Sequence, residues 1–245
     1  LAHRSHSRTI WENLKSIAGA LAIFLFLRTF LVEAYRIPSG SMIPSLLVGD
    51  WLFVNKLVYG PHVPFTDTNL PGYRQPERGD VVVFVSPRQP DEEARGADPT
   101  PTLVKRVVGA PGDTVHMRKG VLHLNGIAQR QGFGASGYSE AVANSVDPLF
   151  DWQKLAGLRS SRFGAAPAQP THDDWGPIVV PSERLFMMGD SRYNSKDSRY
   201  WGFVPRKNVR GRPLFVYYSY NADDSDRPVP WITDIRWGRI GHWIR

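Results

Sequence analysis

One apolar stretch constrains this chain more than anything else in it. Ser16–Tyr35 reads SIAGALAIFLFLRTFLVEAY, the only long apolar run in 245 residues. From Ile17 to Val32 an α-helix rises about 24 Å, short of the ~30 Å hydrocarbon core of a bilayer. Counted outward from Trp11 to Tyr35 it reaches about 36 Å, with an aromatic residue of the interfacial type at each end. Arg28 lies near one end of the run, where its stem lets the guanidinium snorkel to water. Arg4, Arg8 and Lys15 precede it, which predicts a cytoplasmic N-terminus and places everything after Tyr35 outside. A cleaved export signal is the rival reading. The basic start, the 11-residue core Ile17–Leu27 and the small-x-small triplet Val32-Glu33-Ala34 fit one, but Arg28 stands between core and triplet. The expectation is a retained, single-pass anchor over 16–34, a cytoplasmic segment over 1–15 and an outer domain over 35–245.

Beyond the anchor the apolar residues come in short runs rich in Val, Phe and Tyr, bounded by Gly, Pro, Asn and Asp. These predict strands at Asp50–Tyr59, Asp80–Val85, Thr102–Gly109, Asp113–Met117, Val121–Gly126, Arg184–Asp190 and Pro213–Tyr220. His116–Leu124 reads as a hairpin turning at Arg118–Gly120. The outer part is therefore expected to be mainly β. A polar loop spans Ser86–Pro101. A loop-rich insertion or flap covers about 127–177, Gly-, Ala- and Ser-rich from Gln131 to Gly176, with one short helix around Pro148–Leu158.

Hydrophobic content of 42% and charged content of 22% exclude global disorder and a multi-pass transporter. Cysteine is absent, so there is no disulfide framework and no thiolate metal site. The net charge of +7 has two readings, solubility or an anionic partner. Part of the excess lies in the N-terminal segment and part in the C-terminal RWGRIGHWIR, where Trp and Arg suit a phospholipid surface. No helix-turn-helix, RNA-binding or zinc-finger pattern appears, so nucleic acid is not an expected partner.

GDSRYNSKDSRYWGFVP, Gly189–Pro205, suggests a serine hydrolase site through Ser191, Ser195 and Ser198. Yet none of the seven histidines sits in a recognisable catalytic motif, and neither G-x-S-x-G nor H-E-x-x-H occurs. Asp190 and Asp197 have Arg192 and Arg199 beside them, and charge pairing with those arginines would make them poor acids. Lysine remains. In Leu103-Val104-Lys105-Arg106-Val107 a strand puts Leu103, Lys105 and Val107 on one face. If that face is buried, desolvation can lower a lysine pKa from ~10.4 to ~5–6 and yield a general base near neutrality. If it lies at a strand edge, the lysine snorkels to water. A second stretch, YRIPSGSMIPSLLVGD (Tyr35–Asp50), sets Ser39 and Ser41 among Pro38, Gly40 and Pro44. It reads either as an ordinary loop or as a turn that brings the Ser41 amide and hydroxyl to one point.

Together these segments resemble the bacterial type I signal peptidases. PSGSMIPSLLVGDWLFVNK is similar to that family's nucleophile segment and RGDVVVF to the strand after it. LVKRVVGAPGD is similar to the lysine segment, and GDSRYNSKDSRYWGFVP to the C-terminal motif. The resemblance implies a signal-peptidase-like β domain and a Ser-Lys dyad, with Ser41 as nucleophile and Lys105 as general base. It further implies an oxyanion hole from the Ser41 amide and Ser39 hydroxyl, and Ser195 hydrogen-bonded to Lys105. Asp197 and Arg199 would pair, and Gly189, beside Asp190, would allow close backbone approach. Ser191 and Tyr193 depart from the family's usual Asn and Asp, which bears on charge pairing around Arg192. The implied substrates are exported preproteins cleaved after a small-x-small site, bound as an extended strand. Tyr35, Ile37, Pro38, Met42, Leu46, Leu103 and Val104 are the candidate walls. The implied location is the outer face of a bacterial plasma membrane, with the secretion translocon as a further partner; no metal or cofactor is expected. A pilin or transfer peptidase, a self-cleaving Ser-Lys repressor and an inactive tethered binding module are the rivals.

Overall fold

The structure is a computed structural model that describes residues 3–134, 146–158 and 161–244. Its first element is one long helix, α1 (His3–Phe30). Within it Trp11–Phe30, 20 residues of which none is buried, is long and apolar enough to cross a membrane. At 1.5 Å per residue those residues rise about 30 Å. The helix ends at Phe30, four residues before the end of the expected anchor at Ala34. Lys56 Nζ donates to the carbonyls of Arg28 (3.0 Å) and Thr29 (3.2 Å), placing a cation on the negative end of the helix dipole. The chain then leaves as strand β1 (Val32–Arg36), whose backbone groups find partners on β2 (Asp50–Asn55). Tyr35 is thus a strand residue.

The remaining strands are β3 (Val81–Val85), β4 (Thr102–Gly109), β5 (Thr114–Arg118), β6 (Val121–Leu124), β7 (Ile127–Ala128), β8 (Trp175–Val179), β9 (Arg184–Met188), β10 (Val204–Pro205) and β11 (Val209–Ser219). The mainly β expectation holds. A seven-stranded sheet runs β1-β2-β11-β3-β4-β9-β10 and a four-stranded one β7-β6-β5-β8, every pairing antiparallel. The expected hairpin is β5–β6, closed by Lys119 and Gly120 at φ 49° and 72°; two left-handed residues match the twist of a two-residue hairpin. Beyond the predicted strands lie β1, β7, β8 and β10. β8 emerges from the end of the expected insertion and forms an edge of the smaller sheet. The insertion also holds the expected helical stretch, as Pro148–Phe150 and Trp152–Ala156. Its residues 135–145 and 159–160 lie outside the described residues.

Two apolar clusters fix the part of the large sheet that matters for function. Val82, Phe84, Val107, Leu185 and Met187 form one, with Leu103 packed against it. Ile37, Met42, Leu46, Leu52, Val81 and Val216 form the other, with Val104 against it. β4 therefore separates two apolar layers, and the segment after β1 is held down by the second.

Candidate active site

Ser41 sits in a single 3-10 turn, Gly40–Met42, that follows β1. Met42 anchors the turn in the core at 1% exposure. In such a first turn the leading N–H groups have no intrahelical acceptor, and among the described residues the Ser41 amide has no backbone acceptor outside the turn. The Ser39 side chain makes no capping bond. Lys105 comes from the middle of β4, opposite Val82 of β3, and is 4% exposed. Of its two sequence readings, burial is the one the fold adopts. Its Nζ lies 2.5 Å from Ser41 Oγ, across 64 residues of sequence. Burial lowers the Lys105 ammonium to about 8; Asp197 opposes that shift, and Arg199 adds to it.

The Gly189–Arg199 segment closes one side of this pair. The Ser191 amide donates to the Ser41 carbonyl at 3.1 Å. A Cβ on Gly189 would lie 2.4 Å from that same carbonyl and 2.3 Å from Ser195 Oγ, so only glycine lets the two segments meet. The expected Asp197–Arg199 pair is present and fully buried, with Arg199 Nε and Nη2 each 2.8 Å from the carboxylate. Burial alone would raise the Asp197 carboxyl, but the Arg199 guanidinium holds it below the usual carboxylate range. Asp197 also accepts from the Gly189 amide at 3.1 Å, which ties the ion pair to the backbone beside Ser41.

Three placements differ from the sequence reading. Asp190 does not pair with its neighbour Arg192. Its carboxylate takes Arg106 Nε and Nη2, both at 2.7 Å, from 84 residues away. Arg192 instead donates to the carbonyls of Gly189, Gly134 and Phe133, and burial pulls it down to about 10. Ser195 makes no hydrogen bond to Lys105: the amine is turned onto Ser41, while Ser195 Oγ is buried without a partner among the described residues. Leu46 does not face the cleft; it is 0% exposed, within the cluster beneath the turn. Sequence reasoning also missed His172, whose Nε2 lies 2.8 Å from Arg199 Nη1. Burial and the Arg199 charge lower His172, so the neutral ring can accept that N–H. Spacing carries no sign of this contact, because His172 arrives from the insertion.

In front of the pair runs a cleft of about 100 Å³, walled by Tyr35, Ile37, Pro38, Ser39 and Met42 on one side and by Thr102, Leu103 and Val104 on the other. β3 covers one edge of β4 from Thr102 on, whereas β9 takes up the other only from Arg106. Among the described residues the Thr102–Lys105 edge therefore has no strand partner, and its backbone groups face the cleft. Such an edge can accept an added strand.

Residues 10–218 match the family model described as signal peptidase, peptidase S26. Signal peptidase I of Pseudomonas aeruginosa is 39% identical over 219 residues, covering 84% of this chain and 72% of its own. Signal peptidase I of Pseudomonas fluorescens is 37% identical over 224 residues, with coverages of 84% and 72%. That of Aquifex aeolicus is 33% identical over 223 residues, with coverages of 80% and 79%.

Proposed function

Because the chain belongs to the signal peptidase family, peptidase S26, we propose that Ser41 and Lys105 are the dyad with which it cleaves. It is a serine endopeptidase that removes signal peptides, and preproteins carrying such peptides are its substrates. The single observation that supports the dyad is the 2.5 Å approach of Lys105 Nζ to Ser41 Oγ in a setting that favours the neutral amine. Neutral Lys105 takes the hydroxyl proton as Ser41 Oγ attacks the scissile carbonyl. The Ser41 amide and the Ser39 hydroxyl receive the oxyanion; one such donor is typically worth ~2.7–4 kcal/mol. Lys105 then gives its proton to the leaving amine, which breaks the peptide bond. It next activates the water that releases the acyl group and restores Ser41. Ser195, buried beside Gly189, supports the lysine when it carries the proton.

The substrate adds as a strand along Thr102–Val104, facing the segment Tyr35–Pro38. The narrow cleft against Ile37 and Met42 favours small side chains on either side of an intervening residue, an Ala-x-Ala pattern. α1 crosses the plasma membrane once with its N-terminus inside, and the catalytic domain lies on the outer face, where the secretion translocon delivers preproteins. Cleavage of an Ala-x-Ala peptide by the detergent-solubilised chain tests the dyad. Cleavage after the second alanine, lost in both Ser41→Ala and Lys105→Ala, is the expected result. Retention of cleavage in folded Lys105→Ala would remove the lysine from the mechanism.

A further inference from the structure

A second pocket, of about 420 Å³, lies where α1 meets the β domain, and it shares Tyr35 and Thr102 with the substrate cleft. Its charges do not balance. Arg28, Lys56 and Arg210 line it, against the one carboxylate of Glu33. Lys56 is already committed, 2.6 Å from Glu33 and hydrogen-bonded to the Arg28 and Thr29 carbonyls. The two guanidiniums are not. Among the described residues neither Arg28 nor Arg210 is in a salt bridge, and Arg210 makes only an Nη1 bond to the Lys207 carbonyl at 3.0 Å. Among the described residues the pocket thus presents two guanidiniums outside any ion pair, with the phenol of Tyr35 at its rim.

Its height adds the second argument, which rests on the reading of α1 as the membrane helix. If Trp11–Phe30 fills the ~30 Å hydrocarbon core, Arg28 stands at its outer boundary. The phosphate layer lies directly beyond. Guanidinium is the side chain best matched to phosphate oxygens, by charge and by its planar fork of donors. We propose that this pocket holds the phosphodiester of an anionic phospholipid from the outer leaflet, between Arg28 of α1 and Arg210 of β11. The lipid would brace the helix against the domain at the entrance of the substrate cleft.

The test uses the full chain in mixed micelles containing phosphatidylglycerol and phosphatidylcholine, with bound lipid counted by native mass spectrometry. Wild-type protein is expected to retain one phosphatidylglycerol in preference to phosphatidylcholine. Arg28→Gln/Arg210→Gln should weaken that retention about tenfold, equivalent to about 1.4 kcal/mol. Arg28→Lys/Arg210→Lys should keep much of it, which separates lost charge from lost fold. A control pair, Lys119→Gln/Arg184→Gln, removes the same charge outside the pocket and should change nothing. Equal retention by the glutamine pair and the control would overturn the site. Displacement of the lipid by inorganic phosphate would overturn it as a lipid site and leave a free-anion site. Vesicle flotation keeps the two readings apart: a chain that floats but binds lipid without preference loses only the pocket, whereas one that does not float loses the membrane reading as well.

Discussion

Lys105 shows how much one residue's chemistry depends on what covers it. An ammonium loses hydration when buried, and the loss is relieved by releasing the proton. With Lys105 lowered to about 8, about one molecule in ten carries the free amine at pH 7 and most do at pH 9. Cleavage is therefore expected to rise about tenfold between those values, with a midpoint near 8, and a kcat/KM profile measures it. A flat profile would separate the rate from this lysine. The sign for stability follows. The folded pKa lies below the unfolded one, so between about 8 and ~10.4 the unfolded chain binds more protons and stability rises with pH. Lys105→Met should abolish cleavage, erase that rise and resist urea better at pH 7. The alternation of Leu103, Lys105 and Val107 was enough to single this lysine out. It could not choose between burial and snorkelling, because what covers the amine is the Ser41 turn, 64 residues away.

At the scale of the element, the Gly189–Arg199 segment acts as a clamp. Its backbone meets the Ser41 turn at Gly189, and its fully buried Asp197–Arg199 pair holds that meeting point through the Gly189 amide. Gly189→Ala must push the Ser41 carbonyl away, since the new Cβ would lie 2.4 Å from it. A shift of about 1 Å at a reacting group can cost about 10²-fold in rate, so kcat should fall by that order with the fold retained in circular dichroism. Normal turnover by this variant would show that the close approach is unrelated to catalysis. Asp197→Asn leaves Arg199 buried with no counter-charge, a change that typically costs about 3–5 kcal/mol and is read from urea denaturation. The Asp197–Arg199 pair was legible through the family resemblance; the same two-residue spacing at Asp190 and Arg192 did not give a pair. The Arg106–Asp190 pair and the His172 contact were not. They join residues 84 and 27 apart, and such distances close only when β4 meets β9 and the insertion folds back. The end of α1 was hidden for a related reason. Val32–Arg36 holds neither Gly nor Pro to stop a helix, and only pairing with β2 turns it into a strand.

At the scale of the molecule, what remains is how the domain sits beside its anchor. The C-terminal RWGRIGHWIR, read in the sequence as a mixed Arg and Trp surface, divides in the fold. Two of its arginines turn inward: Arg239 pairs with the buried Asp50 at 2.6 Å, and Arg236 donates to the Val48 carbonyl at 2.8 Å. Its aromatic residues turn outward, with Trp237 73% and Trp243 62% exposed, and Trp231 nearby in sequence at 57%. Trp243 is tied to β11 through its bridge to Phe215, the strand that pairs with β2, next to β1 and the end of α1. Arg236 and Arg239 hold the loop before β2 and leave the indoles exposed; rings of this kind partition well into a headgroup layer, so a membrane contact by this face is the expectation to test. Because no residue of Trp11–Phe30 is buried, a variant beginning at Val32 keeps every strand and isolates this contribution. That variant is expected to float with anionic liposomes, and Trp231→Ser/Trp237→Ser/Trp243→Ser in the same background to stay behind. Equal flotation of the two would remove the aromatic face from the membrane contact and leave α1, with the pocket at its end, as the only attachment.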